Sequence, residues 1–258
     1  MKEYLDLLAK VYREGERRAN RTGTDTLSLF GQRMEIDLTK GYPLLTTKRV
    51  YFKGVICELV WMLKGMTNVK FLQENNVHIW DGWADSNGDL GPVYGKQWRD
   101  WDGVDQIMEI DRALREDPFS RRLLLCSWNV RQLKYMALPP CHLLAQFYVR
   151  GEFLDCCVFQ RSGDMFLGIP FDIASYAALT QLLGARNGYK PGKLVYNIGD
   201  AHIYINHLAA VETQLARTPS ELPLLEIKQG ADINNIQISD FTLKNYNPQE
   251  TIKAEVVL

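Results

Sequence analysis

Residue types that mark several common classes of protein are scarce in this sequence. The four histidines show no metal-ligand spacing, so we expect no bound metal. The five cysteines are an odd number without a Cys-x-x-Cys pair, which favours free thiols in a reducing cytoplasm. No apolar run reaches the roughly 18–20 residues of a membrane span. The segment Met1–Lys10 lacks the apolar core of a signal peptide.

An excess of charge is also missing. Lys and Arg total 30 against 31 Asp and Glu, for a net charge of −1, so we expect no basic surface for duplex nucleic acid. Apolar residues are abundant, at 46% of 258 residues, and such a chain can bury one large core. No linker, repeat or low-complexity segment interrupts it. We therefore expect a single domain over residues 1–258.

Helical and strand patterns are mixed along the chain, which favours an α+β fold. Apolar spacing predicts helices near Leu5–Tyr12 and over Val50–Lys64, Asp105–Arg115 and Phe171–Asn187. It predicts strands over Arg122–Trp128, Leu143–Arg150, Phe153–Gln160, Lys193–Ile205 and Leu222–Lys228. The helix from Phe171 is apolar on nearly all sides, as is typical of a central, buried helix.

One cysteine, Cys141, is expected to have polar neighbours. Cys141 follows two prolines and precedes two predicted strands joined by a tight turn, and Arg161 follows the second strand. A hairpin of this length returns the chain, so Cys141 and Arg161 are expected at the same end. A nearby guanidinium favours the thiolate, which is the nucleophilic form, and it also binds anions. The alternative is a small buried hydrophobic cysteine.

Nine short motifs, in order along nearly the whole chain, resemble those of folate-dependent thymidylate synthases. They are Arg21-Thr22-Gly23-Thr24, Thr46-Thr47-Lys48-Arg49, Glu58-Leu59-Val60-Trp61, Ile79-Trp80-Asp81, Gly91-Pro92-Val93-Tyr94-Gly95, Ser120-Arg121-Arg122, Pro140-Cys141-His142, Gln160-Arg161-Ser162 and Gly199-Asp200-Ala201-His202-Ile203-Tyr204. The resemblance implies one large mixed sheet surrounded by helices, and a homodimer in which two sheets pack back to back.

The resemblance also implies a reaction, with 5,10-methylenetetrahydrofolate as cosubstrate. Cys141 would add to C6 of a deoxypyrimidine 5′-monophosphate and so make C5 nucleophilic. Glu58, in an apolar helix that would raise its pKa, is the candidate acid and base. Tyr94 would assist removal of the C5 proton. The alternatives are a buried salt-bridge partner for Glu58 and an ordinary core tyrosine for Tyr94.

Substrate-binding residues follow from the same resemblance. Phosphate would be bound by Arg21, Arg161 and Ser162, and by Arg121 and Arg122 from the neighbouring subunit; without the resemblance, that last pair would be a solvated charge pair. The remaining assignments are His202 and Tyr204 to the sugar, and Trp80, Asp164, Lys48 and Leu258 to the folate.

One position departs from the family pattern. Thymidylate synthases carry asparagine where this chain has Asp172, and that amide pairs with N3–H and O4 of uracil. A protonated carboxyl instead complements cytosine, because it donates to N3 and accepts from the 4-amino group. Enzymes of this family that act on deoxycytidylate, such as phage hydroxymethylases, are similar in having aspartate here. Neutral drift and a helix N-cap are the alternative explanations.

Three functional hypotheses follow. The first is C5 methylation or hydroxymethylation of dCMP, with methylation favoured because the end of the chain, Ile252–Leu258, resembles the tail that excludes water in thymidylate synthases. The second is an ordinary thymidylate synthase acting on dUMP, which His142 after the cysteine slightly favours. The third is a non-catalytic nucleotide- or RNA-binding protein, which would be expected to lose Cys141, Glu58 or the tail.

Overall fold

The computed structural model describes residues 1–257 and has the predicted α+β architecture in one domain. Its helices are α1 (Lys2–Glu14), α2 (Phe52–Leu63), α3 (Lys70–Glu74), α4 (Tyr94–Arg99), α5 (Gln106–Glu116), α6 (Gly168–Asn187) and α7 (Leu208–Leu215). Its strands are β1 (Glu16–Arg18), β2 (Thr26–Asp37), β3 (Leu124–Cys126), β4 (His142–Arg150), β5 (Phe153–Asp164), β6 (Lys190–Tyr204), β7 (Leu224–Ile227) and β8 (Phe241–Lys244).

Six of these strands form a mixed sheet in the order β1-β2-β6-β5-β4-β3. Strands β5 and β6 pair in parallel, and the other neighbours in the sheet are antiparallel. The parallel pair requires a crossover connection, and α6 provides it. The strands β7 and β8 form a separate two-stranded sheet. Among residues 1–257, no helix is long and apolar enough to cross a bilayer.

The crossover helix α6 is the centre of the core, as its apolar sequence predicts. Thirteen of its 20 residues are buried, including Ile173, Ala177 and Leu182. The helix ends at Gly188, whose φ of 80° is left-handed and favours glycine. It begins at Gly168, before the predicted Phe171, and Leu167 is its N-cap residue. The N-cap explanation for Asp172 is therefore wrong, because this residue lies inside the helix.

Sequence periodicity missed the long strand β2. Its apolar residues Leu27 and Leu29 occupy odd positions, whereas Met34 and Ile36 occupy even ones, so the alternation changes phase within the strand. In the structure the even positions are buried at both ends of the strand, at the polar Thr26 and Ser28 and at Met34 and Ile36, whereas Phe30 between them is exposed. Pairing with β6 over its whole length holds β2 together. The predicted strand Arg122–Trp128 is shorter than expected and covers only Leu124–Cys126.

Candidate active site

A cavity of about 700 Å³ lies at the end of the β4–β5 hairpin and is bordered by α2, α6 and β6. Many of the residues singled out from the sequence line this one cavity. They are Arg21, Glu58, Trp80, Tyr94, Cys141, Arg161, Ser162, Asp164, Asp172, His202 and Tyr204. The residues come from segments far apart in the chain, so only the fold brings them together.

The hairpin places Cys141 beside Arg161, as predicted. The backbone N–H of Arg161 donates to the carbonyl of Cys141 at 2.8 Å, and guanidinium Nη2 lies 3.8 Å from Sγ. The same guanidinium donates to the carbonyls of Pro139 and Pro140, both at 2.8 Å. These bonds fix the orientation of Arg161 toward the thiol.

Burial opposes the predicted bias of Cys141 toward thiolate. Burial raises the pKa of the thiol, Arg161 lowers it, Asp172 raises it and Arg21 lowers it, and the net pKa is raised. Burial disfavours the charged form of any group, and here it outweighs both guanidinium groups. The thiol is therefore the resting form, and its proton has to be removed for nucleophilic attack.

Tyr94 and His142 support the loop that carries the thiol. The backbone N–H of Cys141 donates to the Tyr94 hydroxyl at 2.7 Å. The Tyr94 ring stacks on the His142 ring at a centroid distance of 4.0 Å, and His142 Nδ1 lies 2.7 Å from the Tyr176 hydroxyl. Burial lowers the pKa of His142 to about 3, so this imidazole is neutral at physiological pH.

Glu58 has the environment that its apolar helix predicts. Its Oε1 accepts a hydrogen bond from Trp80 Nε1 at 2.7 Å. Burial raises the pKa of Glu58 to about 7, while the bond from Trp80 lowers it. A carboxyl group with such a pKa both donates and accepts a proton near neutrality, as acid–base catalysis requires.

Asp172 lies within a chain of side-chain hydrogen bonds. Gln160 Nε2 donates to Asp172 Oδ2 and to the carbonyl of Ser162, each at 2.9 Å. Gln160 Oε1 accepts from the Tyr196 hydroxyl at 2.5 Å. Burial raises the pKa of Asp172 to about 7, Gln160 lowers it, and the nearby Glu58 and Asp164 raise it.

These residues match a known family over almost the entire chain. The model of the family described as "Thymidylate synthase" matches residues 2–258. The chain belongs to the thymidylate synthase family. Its activity is accordingly folate-dependent methyl transfer to C5 of a pyrimidine nucleotide, with methylenetetrahydrofolate as cosubstrate.

On the thymidylate synthase fold, the residues expected at phosphate and sugar lie along one side of the cavity. Ser162 and Asp164 on β5 pair with Asp200 and His202 on β6. Burial lowers the pKa of His202, but its hydrogen bonds to Asp200 and the nearby charges of Asp164 and Asp200 together outweigh burial, and the net pKa is raised. The His202 and Tyr204 rings are in edge contact, with centroids 5.3 Å apart. Both side chains therefore lie on the same face of β6.

The residues assigned to the folate differ in their surroundings. Trp80 is in edge contact with Trp83, at a centroid distance of 5.7 Å. Asp164 Oδ1 accepts from the backbone N–H groups of Phe166 and Leu167 at 2.9 and 3.2 Å, so one of its oxygens serves the turn into α6. Leu258 lies outside the described residues.

Lys48, Arg121 and Arg122 do not line this cavity. Lys48 is buried, donates to the carbonyl of Phe166 at 2.5 Å, and lines a second cavity of about 600 Å³ together with Arg49 and residues 251–255. Burial lowers its pKa to about 7, while Asp164 raises it. Arg121 and Arg122 are exposed on the loop before β3.

Several lining residues were not identified from the sequence. Gln160 occurred in a family motif, but without the fold its contact with Asp172 twelve residues later was not evident. Thr26, Trp128 and Asp200 also line the cavity. The apolar–polar alternation of β2 and β6 does not distinguish Thr26 and Asp200, and Trp128 lies in the loop after β3. Among residues 1–257, no cluster of three or more His, Cys, Asp or Glu could hold a metal ion.

Proposed function

We propose that this enzyme methylates dCMP at C5 and releases 5-methyl-dCMP. The observation that carries the proposal is Asp172, a carboxyl group in the catalytic cavity whose pKa is raised to about 7. Such a group supplies both a donor and an acceptor near neutral pH. That is the hydrogen-bonding pattern that N3 and the 4-amino group of cytosine require.

The hydrogen bonds of Gln160 support this assignment further. Gln160 Nε2 uses its two protons on the Ser162 carbonyl and on Asp172 Oδ2, so Oδ2 acts as an acceptor. In neutral Asp172 the proton is then on Oδ1, which can donate to N3 of cytosine. Oδ2 keeps a second lone pair for the 4-amino group. Uracil, with N3–H and O4, would place donor against donor and acceptor against acceptor.

The chemistry follows from the cavity residues. Cys141 Sγ adds to C6 as its proton is lost, and the ring gains electron density at C5 and N3. Proton donation from Asp172 to N3 stabilises that charge. C5 attacks the one-carbon iminium of the folate, and Glu58, with Tyr94, accepts the C5 proton. Loss of tetrahydrofolate leaves an exocyclic methylene, and a hydride from that folate converts the methylene to methyl and the folate to dihydrofolate. As the hydride adds, the C6–Sγ bond breaks, Cys141 leaves as thiolate, and N3 returns its proton to Asp172.

Hydride transfer has to compete with water, which would give 5-hydroxymethyl-dCMP. The C-terminal tail favours the methyl product, because Val257 lines the catalytic cavity. Residues 251–255 lie along the neighbouring cavity that Lys48 borders. A tail that covers the site excludes water from the methylene.

We infer that the enzyme acts as a homodimer through the face of the sheet opposite α6. Leu124, Tyr148 and Phe159 lie on this face and are 39%, 62% and 44% exposed. Exposed apolar residues on adjacent strands form a patch of the kind that associates. Arg121 and Arg122 do not line the catalytic cavity of their own subunit. In the dimer they would bind phosphate in the neighbouring subunit.

Base selectivity tests the substrate. Purified enzyme is incubated with methylenetetrahydrofolate and either dCMP or dUMP, and products are identified by mass spectrometry. We expect dCMP to be preferred, and Asp172→Asn to reverse the preference, with a swing in kcat/KM of about 10²-fold or more from mispaired buried groups. Asp6→Asn, at an exposed position of α1 outside the cavity, is the control. A wild-type enzyme that strongly prefers dUMP would identify an ordinary thymidylate synthase.

A further inference from the structure

A buried histidine outside the assigned site contacts the C-terminal tail. His207 follows β6, is fully buried, and packs between Phe166 and Tyr204, with ring centroids 5.7 and 5.6 Å away. Its Nε2 lies 2.8 Å from the carbonyl oxygen of Glu255. A carbonyl only accepts hydrogen bonds, so Nε2 carries the proton and donates.

The other ring nitrogen has no partner. Within residues 1–257, no polar atom is in hydrogen-bond range of the buried His207 Nδ1. An unpaired buried acceptor lowers stability, and a phenylalanine would fill this aromatic cluster without that cost. The polar group therefore contributes little to packing, and its one hydrogen bond is to the tail.

The bond from His207 to Glu255 lies close to the part of the tail that lines the catalytic cavity. Val257, two residues beyond Glu255, lines the catalytic cavity. At the start of the tail, Arg217 Nη1 donates to the carbonyl of Glu250 at 2.6 Å. Main-chain carbonyls thus fix the tail at two points, and the second point lies beside the catalytic cavity.

His207 also contacts the nucleotide side of the cavity. Tyr204, which lines the cavity, packs against both His202 and His207. A shift of the Tyr204 ring on nucleotide binding would therefore be transmitted directly to His207. No part of the proposed methyl-transfer chemistry uses His207.

We propose that His207 is a positioning residue that latches the C-terminal tail over the catalytic cavity through the carbonyl of Glu255. The latch keeps water away from the exocyclic methylene, so hydride transfer outcompetes hydration. It also links occupation of the sugar pocket at Tyr204 to closure of the tail. The inference rests on the proposed chemistry for its effect on products, but not for its effect on the tail itself.

Two substitutions separate a latch from a packing role. His207→Phe keeps the ring and removes the donor, whereas His207→Gln keeps an amide donor of similar reach. We expect His207→Phe to raise the ratio of hydroxymethyl to methyl product about threefold to tenfold, as for loss of one hydrogen bond. Its Tm should stay equal or rise, and its Kd for the nucleotide should increase by no more than the same factor, because a nucleotide and a closed tail that are coupled stabilise each other. His207→Gln should restore much of the wild-type ratio.

Trypsin cleavage after Lys253, an exposed tail residue, reports the latch independently of the products. With nucleotide and folate bound, we expect faster cleavage in His207→Phe than in wild type or in His207→Gln. Glu255→Ala is the matched control and should be silent, because the bond uses the main-chain carbonyl. The latch would be overturned if His207→Phe left both the cleavage rate and the product ratio unchanged. It would also be overturned if His207→Phe and His207→Gln lowered the Tm and changed cleavage and products equally. A wild-type enzyme without methyl product would instead refute the proposed function, while the cleavage comparison still decides the latch.

Discussion

Gln160 holds Asp172 in a defined hydrogen-bonding state. Its Nε2 donates to Asp172 Oδ2 at 2.9 Å, while its Oε1 accepts from the buried Tyr196 hydroxyl. The Ser162 carbonyl, which only accepts, fixes which end of the amide faces Asp172, and the bond from Tyr196 stabilises the same orientation at the other end. The base-reading group is thus determined by two residues that need not touch the base.

Tyr196→Phe tests this arrangement. The substitution leaves Gln160 Oε1 buried without its donor, which destabilises the observed amide orientation by about 1–3 kcal/mol. We expect the preference for dCMP over dUMP, measured as a ratio of kcat/KM values, to fall by about tenfold. Tyr42→Phe is the control, because Tyr42 is also buried and bonds to α6 at the carbonyl of Ala174, outside the cavity. Equal selectivity in both variants would mean that Tyr196 does not orient the amide.

The affinity for dCMP should depend on pH through Asp172. Burial raises the pKa of Asp172 to about 7, so the carboxyl is mostly neutral at about pH 6 and mostly ionised at about pH 8. Because the neutral form donates to cytosine N3, we expect the Kd for dCMP, measured by calorimetry, to increase as the pH rises through 7. Asp172→Asn should remove this dependence. Glu58→Gln should keep it, although the pKa of Glu58 is also about 7.

Cys141→Ala should abolish turnover and leave nucleotide binding nearly intact. The thiol forms the covalent adduct, whereas the arginines expected at the phosphate are unchanged. We expect activity to fall by at least about 10³-fold, with Kd for the nucleotide within a few-fold of wild type. Cys157→Ser, an exposed thiol on the sheet, serves as the control and should remain active. More than trace turnover in Cys141→Ala would exclude the covalent route.

Heterodimers test whether the active site is shared between subunits. A chain carrying Arg121→Ala and Arg122→Ala has an intact cysteine, and a Cys141→Ala chain has intact arginines. In a mixed dimer one site combines Cys141 from the first chain with arginines from the second. We expect mixing to restore activity that neither homodimer shows, measured after unfolding and refolding together. If heterodimers form but stay inactive, Arg121 and Arg122 do not bind phosphate in the neighbouring subunit.

Asp111 should contribute strongly to stability. This buried carboxylate on α5 accepts from Arg186 at 3.0 Å and Arg115 at 2.8 Å. Burial raises its pKa, but the hydrogen bonds from Arg186, Arg115 and Asn187 outweigh burial and lower the pKa to about 2. Stability from this group is therefore present above about pH 4 and is lost as the pH falls toward 2.

Asp111→Asn should lower the free energy of unfolding by about 2–3 kcal/mol, because it removes the buried charge that pairs with the partly exposed guanidinium of Arg186. Glu109→Gln is the control on the same helix: its pair with Arg112 is exposed, and such pairs contribute at most about 1 kcal/mol. Urea unfolding at neutral pH measures both. A similar small effect from the two substitutions would show that Asp111 is dispensable.

The sequence alone determined the fold class, the family and most of the cavity. Apolar spacing identified α2 and α6, and the hairpin pattern placed Cys141 near Arg161, because these signals are local. The strand β2 was missed, since its apolar phase changes within the strand and only pairing with β6 fixes its faces. Residue type also pointed to Asp172, whose carboxyl group differs from the amide of the family pattern.

The tertiary structure decided the properties that depend on distant neighbours. A nearby arginine suggested a thiolate at Cys141, but the extent of burial reversed the direction of the pKa shift. The bond from Gln160 to Asp172 joins β5 to α6, and the bond from His207 to Glu255 joins residues 48 positions apart. Desolvation and long-range hydrogen bonds arise only when the chain packs, so neither can be obtained from local residue patterns.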